Sequence, residues 1–175
     1  MEKKYTTNDL TRIALIAAFY IVLTLIISPL SFGLGIRISE GLNFLALYNK
    51  RYILGVTLGV FIVNYFSTYG IWDMVIGSLT SFIFLHLACY IIEKLFPSIT
   101  NKKDEINKLL FFKYLIIGLS MTISMVNIAL LVVFLGAPWE SFMTLLLGMM
   151  VSEGLSLLVG GIIIYLISER IDLRR

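Results

Sequence analysis

Long apolar runs, separated by short clusters of basic residues, restrict the fold of this chain more than any other feature. An α-helix needs about 20 apolar residues to cross the ~30 Å hydrocarbon core of a bilayer. Inside lipid, only helices and closed barrels satisfy their own backbone polar groups. The runs recur along the whole chain of 175 residues, of which 59% are hydrophobic and only 14% charged, and mean hydropathy is +0.94, far from the values of soluble domains. The chain reads as an all-α integral membrane protein, a single membrane domain over residues 1–175 with six transmembrane helices and no separate soluble part.

Punctuation within the runs gives the expected helix bounds. Helix 1 covers residues 9–27 and ends at Ser28-Pro29, followed by a loop over 30–36 that carries Gly33 and Gly35 and is the candidate gate. Helix 2, over 38–48, is too short to cross alone at 1.5 Å per residue, so it is expected to be partly re-entrant or completed by the preceding loop. Helix 3 follows Asn49-Lys50-Arg51 and runs to residue 68, helix 4 covers 72–95, and Phe96-Pro97 stops it. The polar stretch 98–108 has no apolar period and reads as a loop. Helix 5 spans 109–135, Gly136-Ala137-Pro138 breaks it, and helix 6 fills 139–167.

The basic residues set the orientation. Lys3, Lys4 and Arg12, then Lys50 and Arg51, then residues 94–113, then Arg170, Arg174 and Arg175 alternate with loops of the opposite side. The positive-inside rule places both termini in the cytoplasm of a multi-pass protein of the cell membrane. The first apolar run is too long for a cleaved signal peptide and lacks a small-residue cleavage site at its end.

Against this background, two glutamates stand out. Glu40 and Glu153 lie in apolar surroundings, each in a Ser-Glu-Gly-Leu setting. A carboxylate in such a position costs roughly 2.5–3.5 kcal/mol on insertion scales and calls for a named partner. Arg37 is placed to answer Glu40 at i, i+3 if helix 2 extends through both. Glu153 has no basic residue within a turn of its own helix, nor one at its depth elsewhere, so it must be protonated, hydrogen-bonded or paired with a ligand cation. Arg37 faces Glu40, Asp73, Glu140 and Glu153 in the outward half, a negative balance on a chain whose total is +3. A cationic or amine-bearing ligand suits that field. Glu140 and Asp73 are also ordinary helix-start residues beside an N-terminal dipole.

Polar stripes identify the faces that turn away from lipid: Ser120, Ser124 and Asn127 on helix 5, Thr57, Asn64 and Thr68 on helix 3, and Asp73, Gly77 and Thr80 on helix 4. Amides such as Asn127 and Asn64 both donate and accept, which suits a heterocyclic base edge, although hydrogen bonding between helices uses the same groups. Phe32 and Trp72 are candidates to stack on a planar ligand, while Trp139 suits the interfacial belt. Ala14 and Ala18, Gly55 and Gly59, and Ser152, Ser156 and Gly160 form small-residue pairs that let helices approach, within the chain or against a partner. Cys89 reads as a packed apolar residue, and His86 as a hydrogen-bonded core residue. No phosphate loop, metalloprotease helix or nucleophile elbow is present, so the chain itself has no signature of ATP hydrolysis or enzymatic catalysis. No cofactor and no nucleic-acid partner are expected.

The Ala14-x-x-x-Ala18 pair on helix 1 and the segment Arg37-Ile38-Ser39-Glu40-Gly41-Leu42 opening helix 2, in a six-helix chain of this size, resemble the substrate-binding S components of energy-coupling factor transporters. The resemblance is strongest to the QueT family of queuosine-precursor transporters and covers nearly the whole chain. It implies a transporter subunit, not an enzyme, whose Ala14 and Ala18 surface docks on a transmembrane coupling subunit driven by two cytoplasmic ATPases. It also implies an aminomethyl-deazaguanine ligand, with Glu153 and Glu40 on its amine or N–H donors, Asn127 and Asn64 on the base edge, and Trp72 or Phe32 stacked. The nearest rival ligand class is another amine-bearing vitamin such as thiamin; a Glu-dependent intramembrane enzyme is the rival of a different kind.

Overall fold

The computed structural model describes residues 5–26, 36–96 and 103–173. Every regular element among them is helical: helix 1 Thr7–Ile26, helix 2 Ile38–Leu47, helix 3 Tyr52–Asn64, helix 4 Ile71–Leu95, helix 5 Lys103–Phe134, a short turn of helix Trp139–Ser141, and helix 6 Phe142–Ser168. Four of these segments are long and apolar enough to cross a membrane, and two apolar helices, 2 and 3, are shorter. Large apolar side chains such as Phe19, Leu58, Ile83, Leu119 and Ile162 are exposed on the outer faces, as lipid contact requires.

The helices pack in an order different from their sequence. Helix 1 lies against helix 3, helix 3 against 4, 4 against 5, 5 against 6, and 6 against helix 2, which returns to helix 1 and closes the ring. Helix 2 is therefore surrounded, and seven of its ten residues are buried.

Helix 2 is a 3-10 helix over its whole length. Three residues per turn place side chains at i and i+3 in straight rows. One row puts Gly41 and Phe44 on helix 6, where a Cβ at Gly41 would lie 2.5 Å from the Cα of Gly160, and one at Gly161 would meet the Phe44 ring at 2.8 Å. The next row carries Glu40, Asn43 and Ala46 toward helices 1 and 4, and the Ala46 carbonyl accepts from the Cys89 thiol at 3.8 Å. At about 2.0 Å per residue, ten residues reach about 20 Å, short of the ~30 Å core.

Three sequence expectations need correction. Helix 3 stops at Asn64, not near residue 68, because the chain turns through 65–70 and Gly70 takes a positive φ of 53° that other residues resist. Helix 5 starts at Lys103, inside the stretch read as a loop; residues 103–108 contain no Gly or Pro, and their polarity does not stop a helix. His86 is exposed on helix 4, with Nδ1 2.9 Å from the carbonyl of Phe82 on its own helix, and is not a core residue.

Ion pairs gather at one end. Asp9 pairs with Arg51 and caps helix 1 by accepting from the Thr6 amide at 2.9 Å, while Lys50 meets Glu93 at 2.6 Å. The start of helix 1, the link between helices 2 and 3, and the last turns of helix 4 thus share one end of the ring. Gly55 and Gly59 bring helix 3 close to helix 1, since a Cβ at either would lie 2.7 Å from the Ile13 carbonyl oxygen or 2.6 Å from the Tyr20 Cβ.

Candidate functional site

A cavity of about 570 Å³ opens within the ring, in the size range of small-molecule sites. Arg37 and Glu40 at the start of helix 2, Asn64 on helix 3, and Asp73, Thr80 and Ser81 on helix 4 form a polar wall. Met121, Met125 and Ile128 of helix 5, with Leu145 and Met149 of helix 6, form an apolar one. Glu153 completes the polar side from helix 6, so three carboxylates and one guanidinium share the space.

The seat of helix 2 explains how Arg37 comes to lie at the depth of Glu153. Its backbone N–H donates to Ser156 Oγ at 2.9 Å, and Ser156 is one turn from Glu153 on the same helix face. This corrects the expectation that no basic residue lies at the depth of Glu153. Helix 2 begins beside the middle of helix 6, not at its outer end.

Each polar group has a distinct setting. Glu40 accepts from the Tyr20 hydroxyl of helix 1 on Oε1 and from Asn43 Nδ2 at 2.8 Å on Oε2. Asn64 accepts from Arg37 at 3.2 Å and donates to the Asp73 carbonyl at 3.1 Å, joining helices 2, 3 and 4. Gly77 lies directly beside the Asn64 amide, leaving no room for a side chain. Glu153 is 7% exposed, and its Oε1 has no hydrogen-bond partner among the described residues.

Of the residues singled out from sequence, Glu153, Glu40, Asn64, Asp73 and Arg37 line this cavity. Asn127 stands behind it, donating to the cavity-lining Thr80 at 3.4 Å. Trp72 is not in the wall; it is 57% exposed at the first turn of helix 4, with its ring turned outward. Phe32 and the candidate gate, apart from Ile36, lie outside the described residues. Ala14 and Ala18 are exposed on helix 1, whereas Ala17 between them is buried. Glu140 is exposed in the turn before helix 6.

Sequence reasoning missed Tyr20, Asn43 and the three methionines. The spacing of Tyr20 and Thr24 with Ile13 and Ile16 marks one inward face of helix 1 and was the available signal for the tyrosine. A second cavity of about 500 Å³, between helices 5 and 6 and floored by Phe44, has no charged residue in its wall among the described residues. Among the described residues no group of three His, Cys, Asp or Glu side chains is arranged to hold a metal ion.

A helical membrane protein with a charged, ligand-sized cavity inside an apolar shell has the form of a ligand-binding membrane protein. The family model described as QueT transporter matches residues 10–169. The chain is also 35% identical over 178 residues, 99% of both chains, to the "Queuosine precursor transporter QueT" of Lactococcus lactis subsp. cremoris (strain MG1363). The chain belongs to the QueT transporter family, and its role is transport, not catalysis. No solved structure matches it significantly.

Proposed function

We propose that this chain is the substrate-binding S component of an energy-coupling factor importer, and that its ligand is the queuosine precursor 7-aminomethyl-7-deazaguanine. The observation that carries this reading is Glu153, a buried carboxylate whose Oε1 has no hydrogen-bond partner among the described residues, in a cavity it shares with Glu40, Asp73 and, among those residues, one cation, Arg37. The ligand's protonated amine supplies the missing positive charge. Its guanine-like edge brings N–H donors and acceptors for Glu40, Asn64 and the residues around them. The methionine wall of Met121, Met125 and Met149 offers polarizable sulfur to a flat ring, the contact first sought from Trp72. Asn127 supports the polar wall indirectly, by holding Thr80. The name of the Lactococcus relative points to the same ligand class.

The chain crosses the membrane six times, counting helices 2 and 3 as short spans, with both termini in the cytoplasm. The ion pairs of Asp9 with Arg51 and Lys50 with Glu93 support this, because they gather three of the basic clusters at one end. The exposed pair Ala14 and Ala18 leaves a low-relief strip on helix 1 for a transmembrane coupling subunit, and two cytoplasmic ATPases drive the assembly.

Calorimetric titration of the purified protein with 7-aminomethyl-7-deazaguanine, thiamin, riboflavin and biotin tests the ligand. The deazaguanine is expected to bind most tightly. Glu153→Gln is expected to weaken it roughly ten- to hundredfold, the size of a lost charged hydrogen bond of ~1.5–3 kcal/mol. Equal binding by wild type and variant, or tighter binding of thiamin, would sink the assignment.

A further inference from the structure

The geometry points to Tyr20 as a positioning residue: with Asn43 it fixes the plane of the Glu40 carboxylate so that Glu40 reads the N–H edge of the ligand's base, leaving Glu153 for the ligand's cation. This rests on the reading above that the ligand is a deazaguanine, and it divides between two glutamates what that reading leaves shared.

Tyr20 is 0% exposed and does not line the cavity. It acts only through Glu40, donating its hydroxyl to Oε1 while Asn43 donates to Oε2 at 2.8 Å. The phenol is itself held. Gly59 packs against its ring side, with space too small for a Cβ. Thr24, one turn further on, donates to the Tyr20 carbonyl at 2.8 Å and lies 2.6 Å from the Ser39 hydroxyl, beside Glu40 in sequence. Helix 1 and helix 2 are thus fastened to each other at the residue that faces the cavity.

An ionised carboxylate has about four acceptor positions. With one on each oxygen of Glu40 taken by a protein donor, the rest share a fixed plane and a fixed direction. That arrangement matches two parallel N–H groups on a flat ring and discriminates against donors out of plane. Glu153 Oε1, by contrast, has no hydrogen-bond partner among the described residues to set its direction. An ammonium group is a compact point charge with rotatable donors and needs no such direction. The two carboxylates are therefore suited to opposite ends of one ligand.

Two ligands separate the roles in the purified full chain: 7-aminomethyl-7-deazaguanine, and 7-methyl-7-deazaguanine, which lacks the amine. Tyr20→Phe keeps the ring and removes only the hydroxyl. It is expected to weaken both ligands alike, by about tenfold, and to add nothing in a Glu40→Gln background. Glu153→Gln is expected to weaken only the amine-bearing ligand. Binding of both ligands by Tyr20→Phe at wild-type strength, or a loss confined to the amine-bearing one, overturns the assignment. Should Tyr20→Phe not fold, Asn43→Ala carries the same expectation through the other oxygen. A third readout needs no ligand: in infrared difference spectra Tyr20→Phe is expected to shift a carboxylate band, and the shift to vanish in the Glu40→Gln background. If wild type binds neither deazaguanine, the ligand reading fails by itself, and an unshifted band then overturns the role of Tyr20 as well.

Discussion

Asn64 concentrates three helices in one side chain. Its amide accepts from Arg37 and donates to the Asp73 carbonyl, so it sets both the cation of the cavity and the first turn of helix 4. Asn64→Leu keeps the branched outline of the side chain and removes both bonds. It is expected to cost about 1–3 kcal/mol in stability, since buried polar partners are left unmet, and thermal unfolding of the purified protein measures it. Asn64, Glu40 and Glu153 were legible because each is a polar group in an apolar run, and such groups need an inward partner. Tyr20 was not, because a tyrosine is unremarkable in a membrane helix and its partner comes from another helix. The methionines of the apolar wall were not legible either, for nothing in their spacing separates a cavity lining from a core. Trp72 misled for the opposite reason: its place beside Asp73 suggested a shared site, yet neighbours in a helix sequence point about 100° apart.

At the scale of the element, helix 2 depends on a contact between two glycines. Gly41 and Gly160 bring backbone onto backbone, and this closeness lets the Arg37 amide reach Ser156. Gly160→Ala is expected to push helix 2 away at a cost of about 1–3 kcal/mol, and to weaken ligand binding with it. Gly118→Ala on helix 5, where an added Cβ meets nothing within 4 Å, serves as the control and should leave the melting temperature unchanged or slightly raised. A lowered melting temperature for Gly118→Ala alone would contradict this account of the packing. The run lengths and their Gly and Pro punctuation located helices 1, 4 and 6 within a few residues. Helix 2 was legible as short, but its 3-10 winding was not. The winding follows from rows of contacts on helices 6 and 1 that only the folded chain brings together.

For the molecule as a whole, the ring order 1, 3, 4, 5, 6, 2 is the part least visible in sequence. Hydropathy marks the spans but not their neighbours, and the small residues that set the close approaches pair across long separations. Charge placement, in contrast, is local and readable, and it supports a test of orientation. In a Cys89→Ala background, Glu140→Cys is expected to react with a membrane-impermeant maleimide on intact cells, and Lys50→Cys only after lysis; the reverse pattern would invert the topology. If the ligand is a cation, as proposed above, Arg37 is its tethered competitor. It lies in the same cavity as the carboxylates that would hold an incoming cation, so that cation shares them with a charge that never leaves. The internal guanidinium lowers the attraction of the cavity for stray cations, and it would repel a cationic ligand held on the same carboxylates.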